Sequence, residues 1–242
     1  MEGEFSRTER LIGSRAMERL KNSHVMVFGI GGVGSHCIEA LARGGVGNLT
    51  LVDSDVVSVS NINRQSIALH STVGRYKTRV MKEKLLDINP KIQIQVHEQF
   101  VLPENAAGFF EEQTDYVVDA IDTVSAKLAL AELAAKRGLP LVSCMGTGNK
   151  LDPSAFQIAD IYETSVCPLC RVMRRELKKR GIGRLTVLYS TEKPLASYCE
   201  ALGTGETKGT KGRPVPGSIS FVPPAAGLML AGYVIRQLLG GK

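Results

Sequence analysis

Residues 25–34 read "VMVFGIGGVG", and residues 61–65 read "NINRQ". The first is an apolar run that ends in three spaced glycines, Gly29, Gly31 and Gly34, with Gly32 between them. A strand, a glycine-rich turn and the start of a helix place several backbone amides at the positive end of a helix dipole, where phosphates bind. Asp53 closes the next apolar run, 19 residues after Gly34, the place for a carboxylate that takes ribose hydroxyls. These residues predict a bound nucleotide. Its identity stays open, because nicotinamide dehydrogenases share the fingerprint.

The second stretch narrows the choice. Asn61, Arg64 and Gln65 follow the ribose acid, with Asp55 beside it, and Lys77 opens the next helical pattern after Gly74. An arginine and a lysine are one cation too many for a dinucleotide. They suit a triphosphate, because displacement at the α-phosphate moves negative charge onto departing pyrophosphate. In "DAIDTVSAK", Asp119 and Asp122 fall at the carboxyl end of an expected parallel strand, where open sheets bind ligands. Mg²⁺ takes one or two carboxylates together with phosphate oxygens, so Asp122 is the candidate ligand for Mg²⁺ carried with ATP. Singly, Arg64 and Lys77 read as solvated charges and Asp122 as a helix cap. As an ordered set on consecutive strand ends they read as a triphosphate site.

The surrounding pattern alternates strands with helices. Strands are expected at 24–30, 48–53, 92–98, 116–121 and 139–144, and helices at 33–43, 76–88 and 123–137. In the last, Leu128, Ala131 and Ala135 recur at helical spacing. This predicts an α/β fold with a doubly wound, mostly parallel Rossmann-like sheet. After Met145, "AFQIADI" and "RLTVLYST" read as further strands in an antiparallel arrangement, flanking the helix "CPLCRVMRRELKKRG". Residues 204–216, rich in Gly, Lys and Thr, read as a mobile loop. One continuous domain over 1–242 is expected, with a nucleotide-binding part at 1–153 and a dimer and substrate part at 154–242.

The bulk composition agrees with such a fold. Hydrophobic residues make up 43% and charged residues 22%, ordinary for a globular chain. The net charge of +6 favours a polyanionic partner without requiring one. "MEGEFSRTER" is polar and resembles no secretory leader. Five irregularly spaced cysteines suit a reducing compartment, so a cytoplasmic protein is expected. The apolar stretch at 223–239 carries Arg236 and is short for a membrane span, so it predicts a buried helix with Pro in its first turn.

The ordered motifs "GIGGVGSHCIEALAR", "LVDSD", "NINRQ", "VGRYKT" and "DAIDT" resemble the ubiquitin-activating-like (ThiF/MoeB/HesA) superfamily, which adenylates carboxylates with ATP. "TERLIG", "STEKP" and "SISFVPPAAGLMLAGYVI" narrow the resemblance to the tRNA threonylcarbamoyladenosine dehydratases. The resemblance implies that Gly29, Gly31, Gly32 and Gly34 line the phosphates and that Asp53 holds ribose. It implies that Asn61, Arg64 and Lys77 grip the triphosphate, with Asp122 on Mg²⁺. Arg10 matches an arginine that such proteins insert into the partner subunit's ATP site, which implies a homodimer. A sulfur-carrier adenylyltransferase and an NAD-dependent oxidoreductase stay open as alternatives. A cysteine desulfurase stays open as a further partner.

Cys167 and Cys170 form a single "CPLC" pair, whereas a structural zinc site wants four ligands, so no zinc is expected. Cys167, near a helix start, and Cys199 are the candidate reactive thiols, and a buried role is expected for each. Between 171 and 184 stand seven cations, Arg171, Arg174, Arg175, Lys178, Lys179, Arg180 and Arg184, against Glu176 alone. With Lys208, Lys211 and Arg213 they form the candidate tRNA surface, positioning by phosphate contacts rather than by sequence readout.

Overall fold

The computed structural model describes residues 3–196, 207–208 and 213–241. Two short helices that the sequence pattern did not announce come first, α1 (Ser6–Ile12) and α2 (Ser14–Asn22). Strand β1 (His24–Phe28) then pairs in parallel with β2 (Asn48–Val52) on one side and β4 (Tyr116–Asp119) on the other. Outside β2 lies β3 (Gln93–His97), and outside β4 lies β5 (Leu141–Cys144), both parallel. Next to β5 runs β7 (Thr186–Ser190), also parallel, and β6 (Phe156–Asp160) closes that edge antiparallel to β7. The order is β3-β2-β1-β4-β5-β7-β6. The crossovers include α3 (Gly34–Arg43), α4 (Lys77–Ile88) and α5 (Val124–Arg137). This is the doubly wound sheet that the alternation predicts.

Strand β1 is buried throughout and splits its side chains by the two-residue period of a strand. Val25 and Val27 join one core with Ile38 and Leu41 of α3, and with Leu230 and Val234 of α7 (Val222–Leu238). Met26 and Phe28 join the other, with Leu130 of α5 and with Met173 and Leu177 of α6 (Pro168–Lys179). Phe28 meets Phe109 edge-on at 6.1 Å between ring centroids. Truncating so large a buried ring costs about 3–5 kcal/mol. In α5 the expected stripe shifts at its end: Leu128 and Ala131 are buried, but Ala134 takes the place of Ala135, which is exposed as the last turn leans into solvent.

The segment at 223–239 is the helix α7, with Pro in its first turn. It crosses α3 so closely that a Cβ on Gly227 would lie 2.4 Å from the Val33 carbonyl oxygen. Among the described residues no helix is long and apolar enough to cross a membrane. The expected loop at 204–216 falls largely outside the described residues, as do Cys199 and Lys211. Within it, β8 (Thr207–Lys208) and β9 (Arg213–Pro214) form a short antiparallel ladder.

What this topology positions is a crevice. The chain moves outward from β1 to β2 and β3, then returns to place β4 on the other side of β1. Open α/β sheets bind ligands where the order reverses in this way, outside the carboxyl ends of the strands.

Candidate active site

The glycine turn leaves the carboxyl end of β1 at that reversal. Gly29 has φ +91°, and a Cβ there would lie 2.7 Å from the Ala120 carbonyl oxygen, just past β4. At Gly34 a Cβ would lie 1.8 Å from the Gly29 carbonyl oxygen, so no other residue lets α3 start against the turn. Gly32 is roofed by Pro223 and by the Arg64 stem, 3.0 and 3.2 Å from the place of a Cβ. Around Gly31 no atom comes within 4 Å of that place, so the turn opens outward there. Among the described residues no side chain caps the amino end of α3; the Ser35 amide bonds the Gly31 carbonyl at 3.0 Å, so the glycine turn itself stands at the positive end of the helix.

Asp53, the residue after β2, faces this turn. Its Oδ2 accepts the Ile30 N–H at 2.6 Å and its Oδ1 accepts the Asp55 N–H at 2.8 Å. Burial raises its pKa above the ordinary 3.8, with the Lys77 charge pulling the other way. Lys77, at the first position of α4, is buried, and its Nζ lies 2.7 Å from Asp55 Oδ2. Asn61 closes a 3-10 turn by accepting the Ser58 N–H on Oδ1 at 3.1 Å. Arg64 donates from Nη1 to Ser60 O at 2.9 Å and Asn63 Oδ1 at 2.8 Å. Gln65 is buried, and its Oε1 has no hydrogen-bond partner among the described residues. His36, in the first turn of α3, was not singled out from sequence. Its Nε2 lies 3.1 Å from the Arg64 carbonyl, and burial lowers its pKa, so a neutral ring donating from Nε2 holds the 61–65 segment to α3.

Beyond β4, Asp119 and Asp122 part company. Asp122 is exposed in the loop before α5, and Thr123, not Asp122, occupies the cap position. Asp119 is buried and bonded to Lys127 of α5, whose Nζ lies 3.0 Å from Oδ2. Lys127, eight residues on in the same motif, was missed by sequence reading, where it looks like one more charge on a helix.

The ThiF family profile matches residues 5–242. The chain belongs to the ThiF family. Among its relatives, a tRNA threonylcarbamoyladenosine dehydratase of Bacillus subtilis (strain 168) is 45% identical over 240 residues, 98% of this chain and 94% of that protein. A protein of the same name from Escherichia coli (strain K12) is 41% identical over 196 residues, 78% of this chain and 73% of that one. Crystal structures of E. coli tRNA N6-threonylcarbamoyladenosine dehydratase, TcdA, superpose over 98% of this chain. The complex with AMP does so with a TM-score of 0.87 at 33% identity, covering 94% of that chain. The complex with ATP gives 0.86 at 34% identity, covering 93%.

Outside the nucleotide crevice, this ThiF-family chain carries its cysteine pair and its basic helix together. Cys167 is the residue just before α6, and Cys170 is buried one turn on. The Cys170 thiol, together with the amides of Cys170, Leu169 and Gly146, hydrogen-bonds the Cys167 sulfur and lowers its pKa; the same pairing and burial raise that of Cys170. Among the described residues no group of three or more His, Cys, Asp or Glu is placed to hold a metal ion. On α6, Arg171, Arg175, Lys178 and Lys179 are exposed. Arg174 departs from the expected solvent-facing row: its Nη1 turns inward and donates to the Thr164 carbonyl at 2.9 Å and to the Thr164 hydroxyl. Glu176 is ringed by Lys179, Arg180 and Arg175, and hydrogen bonds from Lys179 and Arg180 hold its carboxyl at about 2. Lys208 and Arg213 are backbone partners in register on β8 and β9.

Proposed function

We propose that this protein is an ATP-dependent tRNA-modifying enzyme that adenylates the carboxylate of threonylcarbamoyladenosine and closes it into a ring, a net dehydration. The carrying observation is one constellation at the β1/β4 reversal: an open glycine turn, a half-buried ribose acid, two cations and an exposed acidic residue, Asp122. The full-length likeness to dehydratases, one of them crystallised both with AMP and with ATP, supports the same substrate.

The substrate carboxylate attacks the α-phosphate, forming an acyl adenylate and releasing pyrophosphate. The ureido oxygen or nitrogen of the same side chain then attacks the acyl carbon, a ureido N–H gives up its proton, and AMP is expelled. The lost water's oxygen leaves on AMP. Both ends of the second step belong to one side chain, so its effective molarity is high and no enzyme nucleophile is needed. Gly29, Gly31, Gly32 and Gly34 cradle the phosphates, Asp53 and Asp55 lie at the ribose side, and Gln65 offers its unpartnered Oε1. Asn61, Arg64 and Lys77 grip the triphosphate and hold the charge that develops on pyrophosphate.

Mg²⁺ fits this donor set. Asp122 is an exposed carboxylate two residues past Ala120, the residue against the glycine turn, and one carboxylate with phosphate oxygens is what the ion takes. Bound there with ATP, it would neutralise charge on the phosphates.

In this reading the enzyme is a cytoplasmic homodimer of one adenylation domain, completed by Arg10 from the partner. Helix α1 is anchored away from its own chain's glycine turn: Phe5 and Met17 border Gly45, beyond the far end of α3. Exposed apolar side chains at Val59, Leu69, Phe221 and Leu228 suit a covered surface. Arg171, Arg175, Lys178 and Lys179, with Lys208, Lys211 and Arg213, would contact tRNA phosphates. A cysteine desulfurase has no step in this balance.

The test is release of AMP and pyrophosphate from ATP and Mg²⁺. Threonylcarbamoyladenosine-bearing tRNA should stimulate it, and the same tRNA lacking the modification should not. Stimulation by a sulfur-carrier protein instead would move the substrate to a protein C-terminus.

A further inference from the structure

Lys127 is a long cation placed in the first turns of a helix, where the dipole disfavours it, yet its side chain and that of Asp119 are each 1% exposed. Such a pair is costly to desolvate and adds little stability over an apolar pair. Here every polar atom is used. Lys127 Nζ reaches Asp119 Oδ1 at 3.1 Å, Asp119 Oδ2 at 3.0 Å, Ser143 Oγ at 3.2 Å and the Cys144 carbonyl at 2.7 Å. Asp119 Oδ2 also accepts the Ser143 hydroxyl at 2.5 Å, and Oδ1 accepts the Ile121 N–H at 3.2 Å. Asp119 and Ser143 are partners in register on β4 and β5.

Beyond the pair and the Ser143 hydroxyl, the bonds go to backbone at the crevice. Ile121 N–H lies between Ala120, which abuts Gly29 and Gly34, and Asp122. The Cys144 carbonyl ends β5, two residues before Gly146. The pair therefore pins both strand ends at the site to the first turns of α5.

We infer that Lys127, through Asp119, is a positioning residue that fixes the 120–122 loop so that Asp122 meets the metal–ATP complex. This rests on the role proposed for Asp122. It assigns the buried pair a part in metal–nucleotide binding beyond holding the fold.

Removing one partner strands a buried charge, so Lys127→Met and Asp119→Asn should each melt well below the parent protein. The double variant carries no charge at these two buried positions and should recover most of that loss. Mn²⁺, read by the electron paramagnetic signal of the free ion, serves as the metal probe with ATP. In the double variant the affinity for Mn²⁺–ATP should stay weakened roughly tenfold or more, as for other outer-shell groups around a metal. Binding of ATP in excess chelator should match the parent. Recovery of Mn²⁺–ATP affinity together with melting temperature would make the pair purely structural and overturn the inference. Asp122→Ala runs alongside: if it binds Mn²⁺–ATP at full strength, the Asp122 role itself falls, and the inference with it. Should the double variant not fold, Ser143→Ala decides, since it keeps both charges and releases one anchor. A several-fold weaker Mn²⁺–ATP complex with an intact fold supports the inference, and parental affinity overturns it.

Discussion

Lys77 Nζ lies 2.7 Å from Asp55 Oδ2, with the lysine side chain 6% exposed and the aspartate 63% exposed. A buried cation is thus held, at its open end, by a carboxylate that solvent already reaches. A triphosphate can displace or share that partner. Asp55→Asn strands the ammonium in the free protein, so it should lower the melting temperature without ATP and enlarge the rise that ATP produces. Lys77→Met should fold, and it should lose about a hundredfold or more in turnover, the scale of one lost preorganised donor. An unchanged ATP-induced shift in Asp55→Asn would place Lys77 away from the phosphates.

Asp53 gives a pH signature. Its folded-state pKa is raised by burial above 3.8. The stability it contributes is therefore present below 3.8 and lost as pH rises through the raised value. Above that raised value the carboxylate is ionised and poised to accept ribose hydroxyls. Preference for ATP over 2′-deoxy-ATP should fall as pH drops through the raised pKa, while phosphate titration affects both nucleotides alike. Asp53→Asn should flatten the preference. A preference constant from neutral to acid pH would remove Asp53 from the ribose.

Sequence shows those parts of this site whose cause is local. Gly34 must be glycine because of an atom five residues away, and β1 reads as a strand because both of its faces are buried. Asp53, Asn61 and Lys77 stand out because they follow strands at spacings that the topology repeats. Lys127 was illegible for the opposite reason. It resembles a solvated helix charge until β5, sixteen residues on, brings Ser143 to it. Arg174 sat in a row of cations that looked alike, and only the fold of residues 161–164 beneath α6 turns it inward. Helix α1 buries no residue, so it left no apolar period to read.

Arg174 and its neighbours separate two roles on one helix. Neutralising Arg171, Arg175, Lys178 and Lys179 should weaken tRNA binding and reduce the slope of log affinity against log salt by roughly 3–4, if all four meet phosphates. ATP binding should be untouched. Arg174→Ala should instead lower the melting temperature, because the Thr164 carbonyl and hydroxyl lose their donor. An unchanged salt slope in the quadruple variant would return α6 to plain solvated surface.

Arg10 tests the proposed dimer. Arg10→Ala should fold and bind tRNA, with ATP turnover sharply reduced. Mixed with an Asp122→Ala protein under subunit exchange, it should regain part of the activity, since each hybrid dimer holds one intact site. No recovery would place Arg10 in its own subunit's site or outside catalysis.

The most direct test of the central claim is nucleoside mass analysis of threonylcarbamoyladenosine-bearing tRNA after incubation with the protein, ATP and Mg²⁺. The modified nucleoside should emerge lighter by one water, one AMP should form per nucleoside converted, and omission of ATP should abolish the change. A nucleoside of unchanged mass, with ATP consumed only when a carrier protein is supplied, would contradict it.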